Sequence, residues 1–274
     1  MTRILHLSDT HLMAAGALHQ GLVDTTAALG HVLESLHGTG PLDAVVVSGD
    51  VSDDGSPASY ETARNLVGRF ASDHGAVAVF AMGNHDLPGP FTAVLGPTRA
   101  VHVVDGLRIV VLDSSVPQRG YGELSAEQLS WLGAELSTPA ARGSVVVVHH
   151  SPLPAPTVLH EALRLQDPAG LLAVLEGSDV RAVLSGHYHH PFAATYPSGL
   201  AAFVAPGVAN RTDVLVAAGR ERAVRGSGAL LVELDDDGVR ATVLTVTTPG
   251  DGQELFVLDE ATVTRIAVEA GVPA

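Results

Sequence analysis

Short apolar runs, most of them closed by a cluster of polar side chains, constrain this chain more than any other feature. Ile4 to Ser8, Asp43 to Ser48, Ala76 to Met82, Arg108 to Leu112, Ser144 to Val148 and Val180 to Ser185 are near-continuous hydrophobic stretches, the pattern of strands buried on both faces. Between them Leu22, Leu29, Val32, Leu33 and Leu36 form one helical stripe, and Tyr60, Ala63, Val67 and Phe70 another. Ser56 and Pro57 supply an N-cap and a proline at the first helical position, and Ser125 with Gln128 makes a capping box for a helix through Leu129, Leu132 and Leu136. Such alternation implies parallel β-α units. Beyond residue 190 the pattern changes to short β-runs: Phe192 to Tyr196, Leu200 to Ala205, Ala229 to Leu234 and Val239 to Val246. The last two are joined by Asp235-Asp236-Asp237-Gly238, turn chemistry that suits an antiparallel hairpin. A final helix is expected from Asp259 to Ala270. No repeat or low-complexity linker intervenes, so the expectation is a single α/β domain over residues 1–274, with two packed sheets and helices outside.

Composition removes several classes of function. With 30 acidic and 15 basic side chains the chain carries a net charge of -15, which disfavours nucleic acid polymers and anionic membrane surfaces as partners. There is no cysteine, hence no disulfide, thiolate metal site or Cys nucleophile. No apolar run approaches the roughly 18 residues of a membrane span. Met1-Thr2-Arg3 leads straight into the first β-run, so a cytoplasmic protein without a membrane span is expected. Histidine is the anomaly: 14 residues in a chain only 4% aromatic.

The histidines fall where chemistry is expected. In open α/β sheets, ligands bind beyond the carboxyl ends of the strands. Here those ends read Ser8-Asp9-Thr10-His11, Gly49-Asp50-Val51-Ser52-Asp53, Gly83-Asn84-His85-Asp86, His149-His150-Ser151-Pro152 and Gly186-His187-Tyr188-His189-His190. One Asp-x-His or Gly-Asp means little; five such pieces in order, each directly after a β-run, point to a shared site. Burying these groups together without a counter-charge is unfavourable, and metal ions reverse the balance. Asp9, His11, Asp50, Asn84, His149, His187 and His189 make seven candidate ligands, too many for one tetrahedral ion. If one carboxylate is shared, each of two ions has four protein ligands. Oxygen and nitrogen donors without sulfur suit Mn, Fe, Zn or Co. Two such ions roughly 3.5–4 Å apart are an arrangement for phosphoester hydrolysis.

The series Asp-x-His, Gly-Asp-x-x-Asp, Gly-Asn-His-Asp, His and Gly-His-x-His, from Asp9 to His189, resembles the calcineurin-like metallophosphoesterase superfamily. Gly-Asp-Val-Ser-Asp-Asp-Gly and His-His-Ser-Pro-Leu-Pro most resemble actinobacterial class III 3′,5′-cyclic nucleotide phosphodiesterases. The resemblance implies a four-layer αββα sandwich of two mixed sheets and two transition-metal ions per chain, Fe or Mn foremost and Zn or Co next. Asp9, His11 and His189 would hold one ion, and Asn84, His149 and His187 the other, with Asp50 bridging. His85 would touch the substrate phosphate and protonate the leaving oxygen, and Asp86 would orient its ring. The resemblance selects His149 over His150; the residues alone leave that pair open, because strand alternation turns one inward and the other away.

The implied activity is hydrolysis of 3′,5′-cyclic nucleotides, cyclic AMP first, to 5′-monophosphates by attack of a metal-bound hydroxide. Other small diesters, namely 2′,3′-cyclic nucleotides or glycerophosphodiesters, are the alternative. A catalytically degenerate binding module fits poorly with a complete ligand set. Purple acid phosphatases carry a Tyr ligand where this chain has Asp53, and protein Ser/Thr phosphatases an Arg where it has Asp54, so neither activity is expected. A homodimer is the assembly suggested by related enzymes, and the apolar tail Val257 to Val272 is free to pack on the body or on a partner. Asp53 and Asp54 are expected to cap their loop. His6 is expected to bond within its strand, and His190 to be peripheral. His31, His37, His74, His102 and His160 are expected on loops or helix surfaces, and of the ordinary histidines only His19 is within reach of the pocket.

Overall fold

The structure, a computed structural model, describes residues 1–271; Val272 of the expected tail and the end of the expected 1–274 unit lie outside the described residues. Its strands are β1 (Thr2–Leu7), β2 (Ala44–Ser48), β3 (Val77–Ala81), β4 (Ala100–Val104), β5 (Leu107–Val111), β6 (Ser144–Val147), β7 (Val180–Ser185), β8 (Phe192–Thr195), β9 (Ala201–Val204), β10 (Arg211–Thr212), β11 (Glu221–Val224), β12 (Ser227–Asp235), β13 (Gly238–Val246) and β14 (Glu254–Leu258). The helices are α1 (Thr25–Ser35), α2 (Pro57–Asp73), α3 (Pro88–Leu95), α4 (Ala126–Glu135), α5 (Val158–Ala162), α6 (Pro168–Leu175) and α7 (Glu260–Ala270).

Two mixed sheets form the body. The first runs β13-β12-β1-β2-β3 and the second β4-β5-β6-β7-β9-β8. In the first, β1, β2 and β3 are parallel, and β12 lies antiparallel against β1. In the second, β5, β6, β7 and β9 are parallel. Strand alternation sorts the apolar side chains into three layers. Ile4, Val46 and Val79 meet Ile109, Val145 and Leu184 between the sheets. Leu5, Val45 and Val47 face Leu29, Val32, Tyr60 and Val67 of α1 and α2, while Val110, Val146 and Val183 face Leu132, Leu171 and Leu175 of α4 and α6. A fully buried Val or Leu contributes about 1.5–3 kcal/mol, so both faces of the central strands must stay apolar. That requirement produces the unbroken runs and the αββα layering.

The cap signals hold with one change. The Ser56 hydroxyl accepts from Ser59 N, with Pro57 opening α2, and the Ser125 hydroxyl accepts from Gln128 N at 3.1 Å. Gln128 does not reach back to complete the box; its amide bonds the Asp113 backbone at 2.7 and 3.1 Å. The Asp235–Gly238 hairpin closes β12 against β13 as expected. The chain also builds a third sheet, β10-β11-β14, that the β-runs did not announce. Residues 257 and 258 belong to β14, and Ala270 O accepts from Gly120 N at 2.9 Å, so the described part of the tail packs on the body.

Candidate dimetal centre

The parallel strands of both sheets deliver their carboxyl ends to one place. Loops leaving β1 and β2 run alongside each other, with Asp9 N, His11 N and Leu12 N donating to Gly49 O, Asp50 O and Val51 O at 2.9–3.1 Å. These loops turn sharply. Asp9, His11, Asp50, His187 and His189 all have positive φ, between 42° and 73°. Asp, Asn and His tolerate that region better than most side chains, and such strain gathers at functional sites. Two glycines make the approach possible. A Cβ on Gly49 would fall on the His149 ring, and one on Gly83 would fall on the Asp50 carboxylate.

All seven sequence-derived ligand candidates converge. His189 Nε2 lies 3.3 Å from Asp9 Oδ1 and 3.2 Å from His11 Nε2. Asp50 Oδ2 lies 3.6 Å from His11 Nε2 and 3.4 Å from His149 Nε2, and His149 Nε2 is 3.2 Å from Asn84 Oδ1. Asp9, His11 and His189 have ligand atoms within 4.8 Å of one another, as do Asp9, Asp50 and His149. The buried His187 ring packs on His149, and its Nε2 has no partner among the described residues. Its backbone N–H donates to Asp9.

The outer contacts select the tautomers. Nδ1 of His11 faces Asp53 at 3.0 Å, Nδ1 of His149 faces Ser48 O at 2.9 Å and Nδ1 of His189 faces Asn210 O at 3.3 Å. With each Nδ1–H donated outward, the Nε2 lone pairs of His11 and His189 meet at 3.2 Å beside Asp9 and Asp50, while Nε2 of His149 faces Asn84 Oδ1 and Asp50. Lone pairs that converge at 3.2 Å repel unless a cation sits among them, so the donor set fits metal ions. His150 is different: its Nδ1 bonds Ser114 and its Nε2 bonds Gly120 O, leaving no lone pair for an ion. That favours His149 in the pair the residues alone left open.

Charge follows the geometry. Burial opposes ionisation of Asp50, yet His149, His85 and His11 outweigh it and hold this carboxyl well below its usual range. Burial acts against the His149 cation too, but the Asp50 charge raises it to about 9, so without an ion this ring holds a proton on Nε2 that a bound metal would displace. His11, mainly desolvated, is pushed down to about 4, and burial holds His187 well below its ordinary value.

Two roles are corrected. Asp86 does not hold the His85 ring; its carboxylate accepts backbone N–H groups from Gly83, Ser52 and Val51 at 2.8–3.1 Å and ties the second and third loops together. Asp53, expected to cap its loop, is instead a hub. It lies 3.0 Å from Nδ1 of both His11 and His85 and 3.1 Å from Nδ1 of His19. His85 stays 43% exposed at the mouth, and despite partial burial the charges of Asp50 and Asp53 raise it to about 9. Asp54 does cap the loop, accepting from Ala14 N and Ser56 N. His6 bonds Ser48 at 2.8 Å as expected, and His190 stays peripheral, facing Thr212 O. His74 and His160 are buried rather than on the surface. A cleft of about 180 Å³ opens on the cluster, lined also by His19, His160, Asn210, Thr212 and Glu221. Neither His160 nor Glu221 was anticipated at the cleft; the Asp53 signal stood in the Gly-Asp-x-x-Asp motif, and Glu221 carried none.

The chain is similar to known proteins. The family model for calcineurin-like phosphoesterases matches residues 2–191. A cAMP/cGMP dual specificity phosphodiesterase from Mycobacterium tuberculosis is 41% identical over 250 residues, covering 88% of this chain and 78% of its own. A probable cyclic nucleotide phosphodiesterase from Rhodococcus erythropolis is 38% identical over 266 residues, covering 92% and 88%. A dimetal phosphatase from Danio rerio shares the fold with a TM-score of 0.59 at 13% identity, covering 90% of this chain and 99% of its own.

Proposed function

The chain belongs to the calcineurin-like phosphoesterase family, a family of hydrolases, and from that premise we propose that it hydrolyses 3′,5′-cyclic nucleotides, cyclic AMP first, to 5′-monophosphates. The observation that carries this reading is the inward-facing set of Nε2 atoms around Asp50, on a chain 41% and 38% identical to proteins named for that activity. Asp9, His11 and His189 would hold one ion, Asn84, His149 and His187 the other, and Asp50 both. Bound there, ions such as Fe or Mn, with Zn or Co as alternatives, lower the pKa of a water and neutralise charge on the phosphoryl oxygens. His85 keeps its Nδ1 on Asp53 and lines the cleft, where its other nitrogen is available to protonate the departing 3′ oxygen. Asp53 fixes that ring and the His11 ring together, and Asp86 holds the loops that carry them.

The reading includes a single metallophosphoesterase domain, since Asn210, Thr212 and Glu221 line the same cleft as the ligands. It also includes a small-molecule substrate met in the cytoplasm, because a net charge of -15 opposes polyanions. No helix among the described residues is long and apolar enough to cross a membrane. The test is product analysis of the Mn-loaded protein on cyclic AMP, 2′,3′-cyclic AMP and glycerophosphocholine at equal concentration. A 5′-monophosphate from the first as the preferred product is expected; preference for either other diester overturns the substrate.

A further inference from the structure

The cleft is lined in two unlike ways. One set of lining side chains is the ligand cluster; the other is an apolar wall of Leu159, Leu163, Ala223, Phe256 and Leu258. Set into that wall is one acid. Glu221 is only 4% exposed, and neither carboxylate oxygen has a hydrogen-bond partner among the described residues. Its nearest basic atom is His160 Nδ1 at 3.8 Å, too far for a hydrogen bond and already engaged with the Thr157 hydroxyl at 2.9 Å. The neighbouring Arg222 pairs with Asp213 instead. A buried carboxyl whose one nearby side-chain donor, the Thr157 hydroxyl, is already shared with His160 is unfavourable, and nothing in the fold of β11 requires an acid there. A ligand with N–H donors on a flat apolar body would complete it.

Resting on the cyclic nucleotide reading, we propose that Glu221 is a specificity-determining residue that accepts a hydrogen bond from the exocyclic amine of the nucleobase while the phosphodiester sits at the ligand cluster. The apolar wall would take the ring face, and the carboxyl the amine edge. Burial raises this carboxyl to about 7. In its ionised form it offers acceptors only, and in its neutral form it still keeps one acceptor oxygen, so the amine is satisfied either way. A base without the amine would leave the acid as unsatisfied as it is in the free protein, which makes the contact selective.

The Mn-loaded full-length protein is assayed on cyclic AMP, on the 3′,5′-cyclic monophosphate of purine riboside, which lacks the amine, and on bis(p-nitrophenyl) phosphate, which has no base. For the unmodified protein kcat/KM is expected to favour cyclic AMP over the amine-free analogue by roughly 10- to 100-fold. In Glu221→Leu that ratio should collapse towards one, chiefly through KM, with bis(p-nitrophenyl) phosphate turnover within about twofold; Glu221→Gln, which keeps an acceptor oxygen, should retain much of the ratio. An unchanged ratio in Glu221→Leu overturns the proposal. So does a ratio of one in the unmodified protein, a result that needs no variant to fold. Hydrolysis of bis(p-nitrophenyl) phosphate but of neither cyclic nucleotide overturns the functional reading, and this proposal with it.

Discussion

At the amino end of β6, Ser144 joins a buried polar cluster in which Arg108 contacts both Asp179 oxygens at 2.9 and 3.1 Å. The Ser144 hydroxyl, Ala140 N and Glu135 O complete it. At the carboxyl end, His149 joins the other cluster, where ring nitrogens and carboxylates face one another and His187 Nε2 has no partner among the described residues. Both ends bury charge under the same sheet. The first closes on itself, each donor meeting an acceptor on relaxed backbone, and so serves stability. The second is closed only by something from outside and sits on left-handed backbone, as a site must.

Exchanging the effects of the two ends would break this contrast. The largest expected effect is on catalysis. Asp50→Ala should lower bis(p-nitrophenyl) phosphate hydrolysis by about 10³-fold or more while the apo protein melts no earlier than the unmodified one. Substantial activity with full metal content would refute the sharing of Asp50 by two ions. Next, Asp179→Ala should strip Arg108 of its partner and cost about 3–5 kcal/mol by urea denaturation, leaving kcat per folded molecule unchanged. A loss of kcat without a loss of stability would show that the amino end also supports the chemistry.

The smallest effect concerns His6, midway along β1, whose Nε2 meets Ser48 and whose Nδ1 has no partner among the described residues. Burial lowers its pKa from 6.5 to about 3. The unfolded chain therefore binds this proton below pH 6.5 while the native one refuses it. Stability is intact above pH 6.5 and falls by up to about 1.4 kcal/mol per pH unit between pH 6.5 and about 3. The difference in urea midpoint between pH 7.5 and pH 5 should accordingly shrink in His6→Gln; an equal difference would show that His6 is not a titrating weak point.

The same contrast explains how much was legible in the sequence. Central strands such as β2 and β6 need apolar side chains on both faces, so their runs and their polar exits stand out. β4, at a sheet edge with only intermediate burial, and the two-residue β10 leave no such mark. The ligand set was readable because each member directly follows a strand. Its supports were not, because the 3.0 Å contact between His85 Nδ1 and the Asp53 carboxylate links different loops, whereas the sequence neighbour Asp86 turns its carboxylate to backbone N–H groups. Glu221 lies in a four-residue strand of the third sheet, and its meaning arises only from what folds around it.

The place of β1 carries a consequence for how the chain is made. β1 is flanked by β2 on one side and by β12 on the other, with Thr2 opposite Leu234. Every candidate ligand, through His189, has therefore left the ribosome before the strand that closes the β1 edge exists. At roughly 5–20 residues per second, the interval from Thr2 to Leu234 lasts on the order of 10–50 s. Only over its last stretch, from His189 to Leu234 and roughly 2–9 s long, does the nascent chain carry the complete set of candidate ligands beside an open strand edge, the kind of edge that recruits other chains. A fragment cut just after residue 191 would keep every candidate ligand but lose Asn210, which faces His189, and the strand that β1 needs beside it.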